Sequence, residues 1–140
     1  MTLHVLDTDT LTLLAKGDAM VRARVAACRP DEIAIAVITV EEQLSGWYRL
    51  LRRAKDPAAL ARVYDELALA VKSLSALPIL SFSEPAIHRA KALQAQRLNV
   101  RKPDLSIAAI ALENQAVVVS RNLRDFQRVP GLVVQDWSKP

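Results

Sequence analysis

Four short runs rich in branched apolar residues recur along the chain, Leu3 to Leu6, Ile33 to Val37, Pro78 to Phe82 and Val117 to Val119. Runs of this length and type read as strands. A further run, Leu132 to Val134, is placed to add an edge strand. Between the strands the apolar spacing changes period. Leu60, Val63, Tyr64, Leu67, Val71 and Leu74 recur at three- and four-residue steps and so fall on one face of a helix. Ser83 and Pro85 mark the start of the next helix, with Ile87, Ala90 and Leu93 on its inner side. Leu105 to Leu112 is apolar nearly all round, which predicts a central, buried helix. Strands that alternate with helices pair in parallel through right-handed crossovers. The expectation is therefore a three-layer α/β/α domain over residues 1–140, with a central, mainly parallel sheet of four to five strands.

In such a sheet ligands bind outside the carboxyl ends of the strands, so acids just beyond strands draw the eye. Asp7 directly follows the first strand and precedes a helical stretch, where a helix N-cap is its plain local role. Glu42 stands three residues after Thr39 near a helix start, the spacing of a capping box. Asp104 follows Pro103 and opens the buried helix from Leu105, where it too reads as a cap, favoured by the positive end of the helix dipole. Each acid thus has a separate local reading, and one shared site accounts for all three together. Carboxylates brought together repel one another unless a cation neutralises them. Oxygen ligands without a neighbouring His or Cys favour Mg²⁺ or Mn²⁺ over zinc. His4 and His88 belong to no ligand-like cluster and read as structural or exposed.

Composition adds little to this picture. Half the residues are hydrophobic, enough for one core, and the formal charge of +4 is compatible with a polyanionic partner without requiring one. The single cysteine, Cys28, cannot form an intrachain disulfide and reads as a small core filler. No apolar run approaches the roughly 20 residues needed to span a bilayer, and a cytoplasmic, non-membrane protein is expected.

The strings around the acids carry a resemblance. "VLDTDTL", "ITVEEQLSG" and above all "KPDLSIAAIALENQAVVVSRNLRDFQRVPGLVVQDW" resemble the PIN-domain ribonucleases, most closely the VapC toxins of bacterial toxin–antitoxin pairs. Residues 48 to 100 match mainly in length and helical character. The resemblance implies a PIN-like fold and assigns Asp7, Glu42 and Asp104 as the catalytic, metal-binding carboxylates, with Glu41 the neighbour of Glu42 to compare. The fourth position is unsettled between Asn122 and Asp125, and Ser120 is implied to hydrogen-bond a ligating carboxylate.

The activity implied is metal-dependent endoribonuclease hydrolysis of tRNA or another structured RNA. In it Mg²⁺, or Mn²⁺, polarises the phosphate and activates a water for in-line attack. Lys102, Arg121, Arg124 and Arg128 are the RNA-contact candidates, whereas Arg49, Arg52, Arg53 and Lys55 read as an ordinary exposed helix face. The implied partners are a small VapB-like antitoxin and a second copy of the chain in a homodimer. Trp47, Tyr48, Leu50 and Leu51 are candidates for the antitoxin surface. Two other readings stand beside this one. A catalytically silent PIN-like RNA- or protein-binding module is kept open by Asn122. "VLDTDTL" also fits a haloacid-dehalogenase-type phosphatase, with Asp7 as nucleophile and Asp9 as general acid.

Overall fold

The computed structural model describes residues 2–140. The expected strands form where the branched runs lie: β1 (His4–Leu6), β2 (Ile33–Ala36), β3 (Ile79–Leu80), β4 (Val117–Val119) and β5 (Val134–Gln135). They make one five-stranded, all-parallel sheet in the order β3-β2-β1-β4-β5. Between them run α1 (Thr8–Lys16), α2 (Ala19–Ala26), α3 (Val37–Arg53), α4 (Pro57–Ser75), α5 (Glu84–Ala95), α6 (Lys102–Glu113) and α7 (Leu123–Phe126). No helix among the described residues is long and apolar enough to cross a membrane.

Alternation along the strands divides the core into two. Val5, Ala36 and Val118 face one side, where they pack with Ile107, Ile110 and Phe126. Leu6, Ile33, Ile35 and Val119 face the other, against Leu11, Val21 and Trp137. Helix α6 is the most deeply buried helix among the described residues, with every residue from Leu105 to Ala111 buried, as its all-round apolar sequence predicts. Local signals mark the helix ends. Asp7, Asp18, Asp56 and Ser83 each accept a backbone N–H three residues on, and Gly17 ends α1 at φ 84°, a left-handed turn that glycine adopts without strain.

Two features depart from the pattern. Helix α3 starts one turn before the predicted Thr39, because β2 passes straight into it through Ala36, which offers no side-chain cap. Helix α4 has its periodic apolar face, but only Leu74 at its end is buried. Leu60, Tyr64 and Val71 stay exposed, as does Leu69 beside them, because α4 lies against α3 and reaches the sheet layer only at its end.

The order of strands fixes the place of the site. The chain moves from β1 outward through β2 to β3, then returns to the other side of β1 with β4 and β5, so the order in which strands are added reverses between β1 and β4. A crevice opens at such a switch point beyond the strand ends. Asp7 and Ser120 are the residues immediately beyond those two strands.

The burial pattern makes a direct contrast testable. Ile110→Ala, inside α6, is expected to lower the unfolding free energy by about 2–5 kcal/mol in urea denaturation. Leu69→Ala, on the exposed face of α4, is expected to change it by no more than about 0.5 kcal/mol.

Candidate metal centre

An open cleft of about 520 Å³ lies at the switch point, lined by Asp7, Thr8, Asp9, Glu42, Arg101, Asp104, Arg121 and Asn122. Asp7 both caps α1 and faces this cleft. Its Oδ1 accepts the Thr10 N–H at 2.8 Å, and its own N–H donates to the Val119 carbonyl at 3.0 Å, which continues the β1–β4 ladder by one bond. Burial pushes its pKa up, against the Ser120 hydroxyl and the Thr10 N–H, which favour the ion. Asp9 adds repulsion. The cap and the site are therefore the same residue, and the two readings of Asp7 do not compete.

Glu42 reaches the cleft from the second turn of α3. The capping box expected with Thr39 is absent, since the early helix start places Thr39 inside the first turn, fully buried. The Thr8 hydroxyl donates to Glu42 Oε1 at 2.7 Å and stands 3.2 Å from the Thr39 hydroxyl. Arg101 Nη2 donates to the other oxygen, Oε2, at 3.3 Å. Asp104 sits in the first turn of α6, and the flanking cap position belongs to Arg101, not to Asp104. Its pKa is pushed up to about 6, chiefly by burial; Arg101 opposes the shift, and Asp7, Glu42 and Asp125 reinforce it by like-charge repulsion. The acids of β1, α3, α6 and α7 are thus within electrostatic reach of one another.

The remaining candidates divide by position. Ser120 is fully buried and its Oγ accepts the Asn122 N–H at 2.8 Å, which leaves its proton free for Asp7. Asn122 lines the cleft, and its amide donates to Asp125 Oδ2 at 2.9 Å. Asp125 lies behind it, with Arg128 donating to its Oδ1 at 3.2 Å. Arg128 also binds the Asn99 carbonyl at 2.8 Å, so it ties α7 to the loop before α6 and does not line the cleft. Arg124 is exposed on α7, away from the lining residues. Lys102 turns to a different groove, between α5 and α6, beside Phe82 and Leu105. Of the four basic candidates only Arg121 lines the cleft, and it is clamped by Asp9 through two bonds of 2.7 and 2.8 Å.

Two lining residues, Thr8 and Arg101, escaped sequence reasoning, and a third, Asp9, was singled out only for the phosphatase reading. Thr8 and Asp9 belong to the quoted "VLDTDTL" string, and their spacing from Asp7 on a new helix could have pointed to them. Arg101 is adjacent to Lys102, and only the phase of α6 decides which of the two basic residues meets the acids. Asp9 also bears on the phosphatase reading. Its hydrogen bond from Arg121 holds its pKa down, whereas a general acid needs its proton retained.

Whether these residues suit a metal is a matter of donor chemistry. Carboxylate oxygens from separate elements, repelling one another at one open cleft, fit a hard divalent cation, whose charge relieves that repulsion. Among the described residues no three His, Cys, Asp or Glu side chains are drawn in closely enough to hold an ion as they stand. Both Glu42 oxygens are already engaged by Thr8 and Arg101.

With this geometry established, comparison with known proteins is direct. The PIN domain profile matches residues 5–132, and the chain belongs to the PIN-domain family. It is similar to the protein named Ribonuclease VapC1 of Haemophilus influenzae (strain R2866), at 27% identity over 144 aligned positions, covering 98% of this chain and 99% of the relative. A shorter match, 34% over 47 residues, links it to Ribonuclease VapC2 of Rickettsia felis, covering 34% of this chain and 35% of that one. Among solved structures, DNA-bound VapBC from Salmonella typhimurium superposes with a TM-score of 0.74 at 27% identity, covering 98% of this chain and 99% of the other. VapBC2 from Rickettsia felis bound to a promoter DNA fragment gives 0.74 at 22%, covering 97% and 99%, a likeness of fold.

The raised pKa of Asp104 has a defined consequence for stability. A carboxyl that holds its proton more tightly when folded stabilises the fold below its unfolded pKa of 3.8, and that contribution is lost as pH rises through about 6. In EDTA, Asp104→Asn is expected to raise the melting temperature by about 5 °C at pH 7.5 and to change it little at pH 4. Thermal melts at the two pH values check this.

Proposed function

We propose that the chain is a divalent-metal-dependent endoribonuclease and the toxin of a toxin–antitoxin pair. The observation that carries this reading is the meeting of Asp7, Glu42 and Asp104 from three separate elements at one cleft, in a chain of the PIN-domain family. The names of its relatives, ribonucleases and VapBC complexes, support the same reading.

We assign Asp7, Glu42 and Asp104 as the groups that hold Mg²⁺ or Mn²⁺. When bound, such an ion supplies Lewis acidity to a phosphodiester and to water, so that no protein nucleophile is needed. The chain's own residues set the stage for that chemistry. The Ser120 hydroxyl and the Thr10 N–H at the α1 N-terminus favour the ionised form of Asp7, in opposition to its burial, which raises its pKa. Thr8 orients Glu42, while the Asp9–Arg121 pair fixes one rim of the cleft. Arg121 keeps a cation at that rim, where an RNA phosphate can meet it. Asn122 occupies the fourth position facing the cleft, and Asp125 supports it from behind. The substrate class is tRNA or another structured RNA. A neutral Asn122 also favours a second reading, a silent binding module, and the cleavage test below separates the two.

The proposed protein partner is a VapB-like antitoxin. A groove between α1, α3 and α4 is lined by Leu11, Ala15, Trp47, Leu69 and Leu74 and lies beside the uncovered face of α4. Tyr48 and Leu50 are exposed on α3 nearby. A homodimer completes the proposed assembly.

Two experiments test this account. The purified chain, freed of antitoxin, is expected to cleave structured RNA with Mg²⁺ or Mn²⁺, to stop in EDTA, and to lose at least about 10²-fold in rate in Asp7→Asn or Asp104→Asn. Cleavage that persists through all of these overturns the metal-carboxylate mechanism, and RNA binding without any cleavage selects the silent module. For the partner surface, Trp47→Ala is expected to weaken binding of the co-purifying antitoxin by about tenfold or more in titration calorimetry, with the melting curve retained. Unchanged affinity places the interface elsewhere.

A further inference from the structure

Glu42 differs from the other two proposed ligands in having a cation of the chain's own hydrogen-bonded to it. Its Oε2 accepts from Arg101 Nη2 at 3.3 Å, across 59 residues of sequence, while Thr8 holds Oε1 at 2.7 Å. Asp7 is stabilised by a hydroxyl and a backbone N–H, without a cationic hydrogen-bond partner. Arg101 stands at the surface rather than in the core: its side chain is 67% exposed, against 25% for Glu42, and beyond this one hydrogen bond it acts on Asp104 through charge alone.

The position of Arg101 makes this contact an exchangeable one. The residue flanks α6 one turn before Asp104, so its backbone is fixed by the helix while its side chain reaches across the cleft to α3. An exposed ion pair with a single hydrogen bond is weakly held. A cation with two charges outbids it readily, but has to displace it to gain that oxygen.

We propose that Arg101 is a positioning residue that competes with the divalent ion for Glu42, and so raises the metal concentration at which the cleft loads. This rests on the metal-dependent reading of the site. In the metal-free state the guanidinium takes up part of the negative charge that the fold concentrates there. When an ion enters, the pair opens and Arg101 remains at the cleft wall as a free cation. Its neighbour Lys102 carries the same charge but lines the α5–α6 groove, which makes it the natural control.

The test is the affinity of the full, antitoxin-free chain for Mn²⁺ alone, measured by titration calorimetry. Arg101→Gln is expected to bind Mn²⁺ about three- to tenfold more tightly than wild type, since both the competing bond and a like charge are removed. Arg101→Lys, which keeps the charge, and Lys102→Gln, which removes one outside the cleft, are expected to stay within about twofold of wild type. If Arg101→Gln binds no more tightly than wild type, or if Lys102→Gln gains as much, the competition is overturned and the nuclease reading stands. If wild type and Arg101→Gln both fail to bind Mn²⁺, the metal-dependent reading itself falls, and this inference with it.

Discussion

Like charges gathered at the end of a buried sheet have nowhere to go, and much of the surrounding structure can be understood as a response to that fact. Asp7 is fixed by β1 and by its cap on α1, Glu42 by a helix that grows directly out of β2, and Asp104 by the most deeply buried helix among the described residues. None can withdraw without unpacking the core. The repulsion is therefore met locally, by Thr8 and Ser120 hydroxyls, by a helix N-terminus and by Arg101. The Asp104 carboxyl has its pKa raised to about 6 chiefly by burial, and repulsion from Asp7, Glu42 and Asp125 adds to the shift.

Cations at the rim fall into two kinds. Arg121 is committed to Asp9 by a planar, two-bond match, the geometry in which a guanidinium is least easily exchanged. Arg101 is held by one longer bond and is largely in solvent. The two arginines thus differ in how firmly each is held, on a frame that is that of the PIN-domain family.

Much of the fold was legible because its signals are local. Branched runs became strands, Ser83 and Asp7 became caps, and the apolar stretch from Leu105 became the buried helix. The site was legible only in part. Asp7 had a correct local description as a cap, and Asp104 one displaced by three residues, since Arg101 holds the cap of α6; neither said anything of their meeting, because a helix end is specified by a few neighbours and a cleft by elements far apart. Thr39 misled because its spacing from Glu42 mimics a capping box, while the helix had already begun at Val37. Arg101 and Lys102 are indistinguishable by composition, and a rotation of about 100° per helical residue sends them to different grooves. The apolar face of α4 was visible in its period, but a single chain does not reveal what would cover it.

The hydrogen bond from Asp7 to Val119 joins residues at opposite ends of the chain, and the Asp9–Arg121 clamp repeats the connection beside it. Parallel pairing of β1 with β4 has to wait until nearly the whole sequence is available, because no hairpin can bring them together early. On the ribosome, then, the first 110 or so residues emerge with β1 lacking a neighbour on one side and the cleft lacking a wall. A growing chain of this topology therefore carries Asp7 and Glu42 unassembled until α6 and β4 are available to complete the cleft.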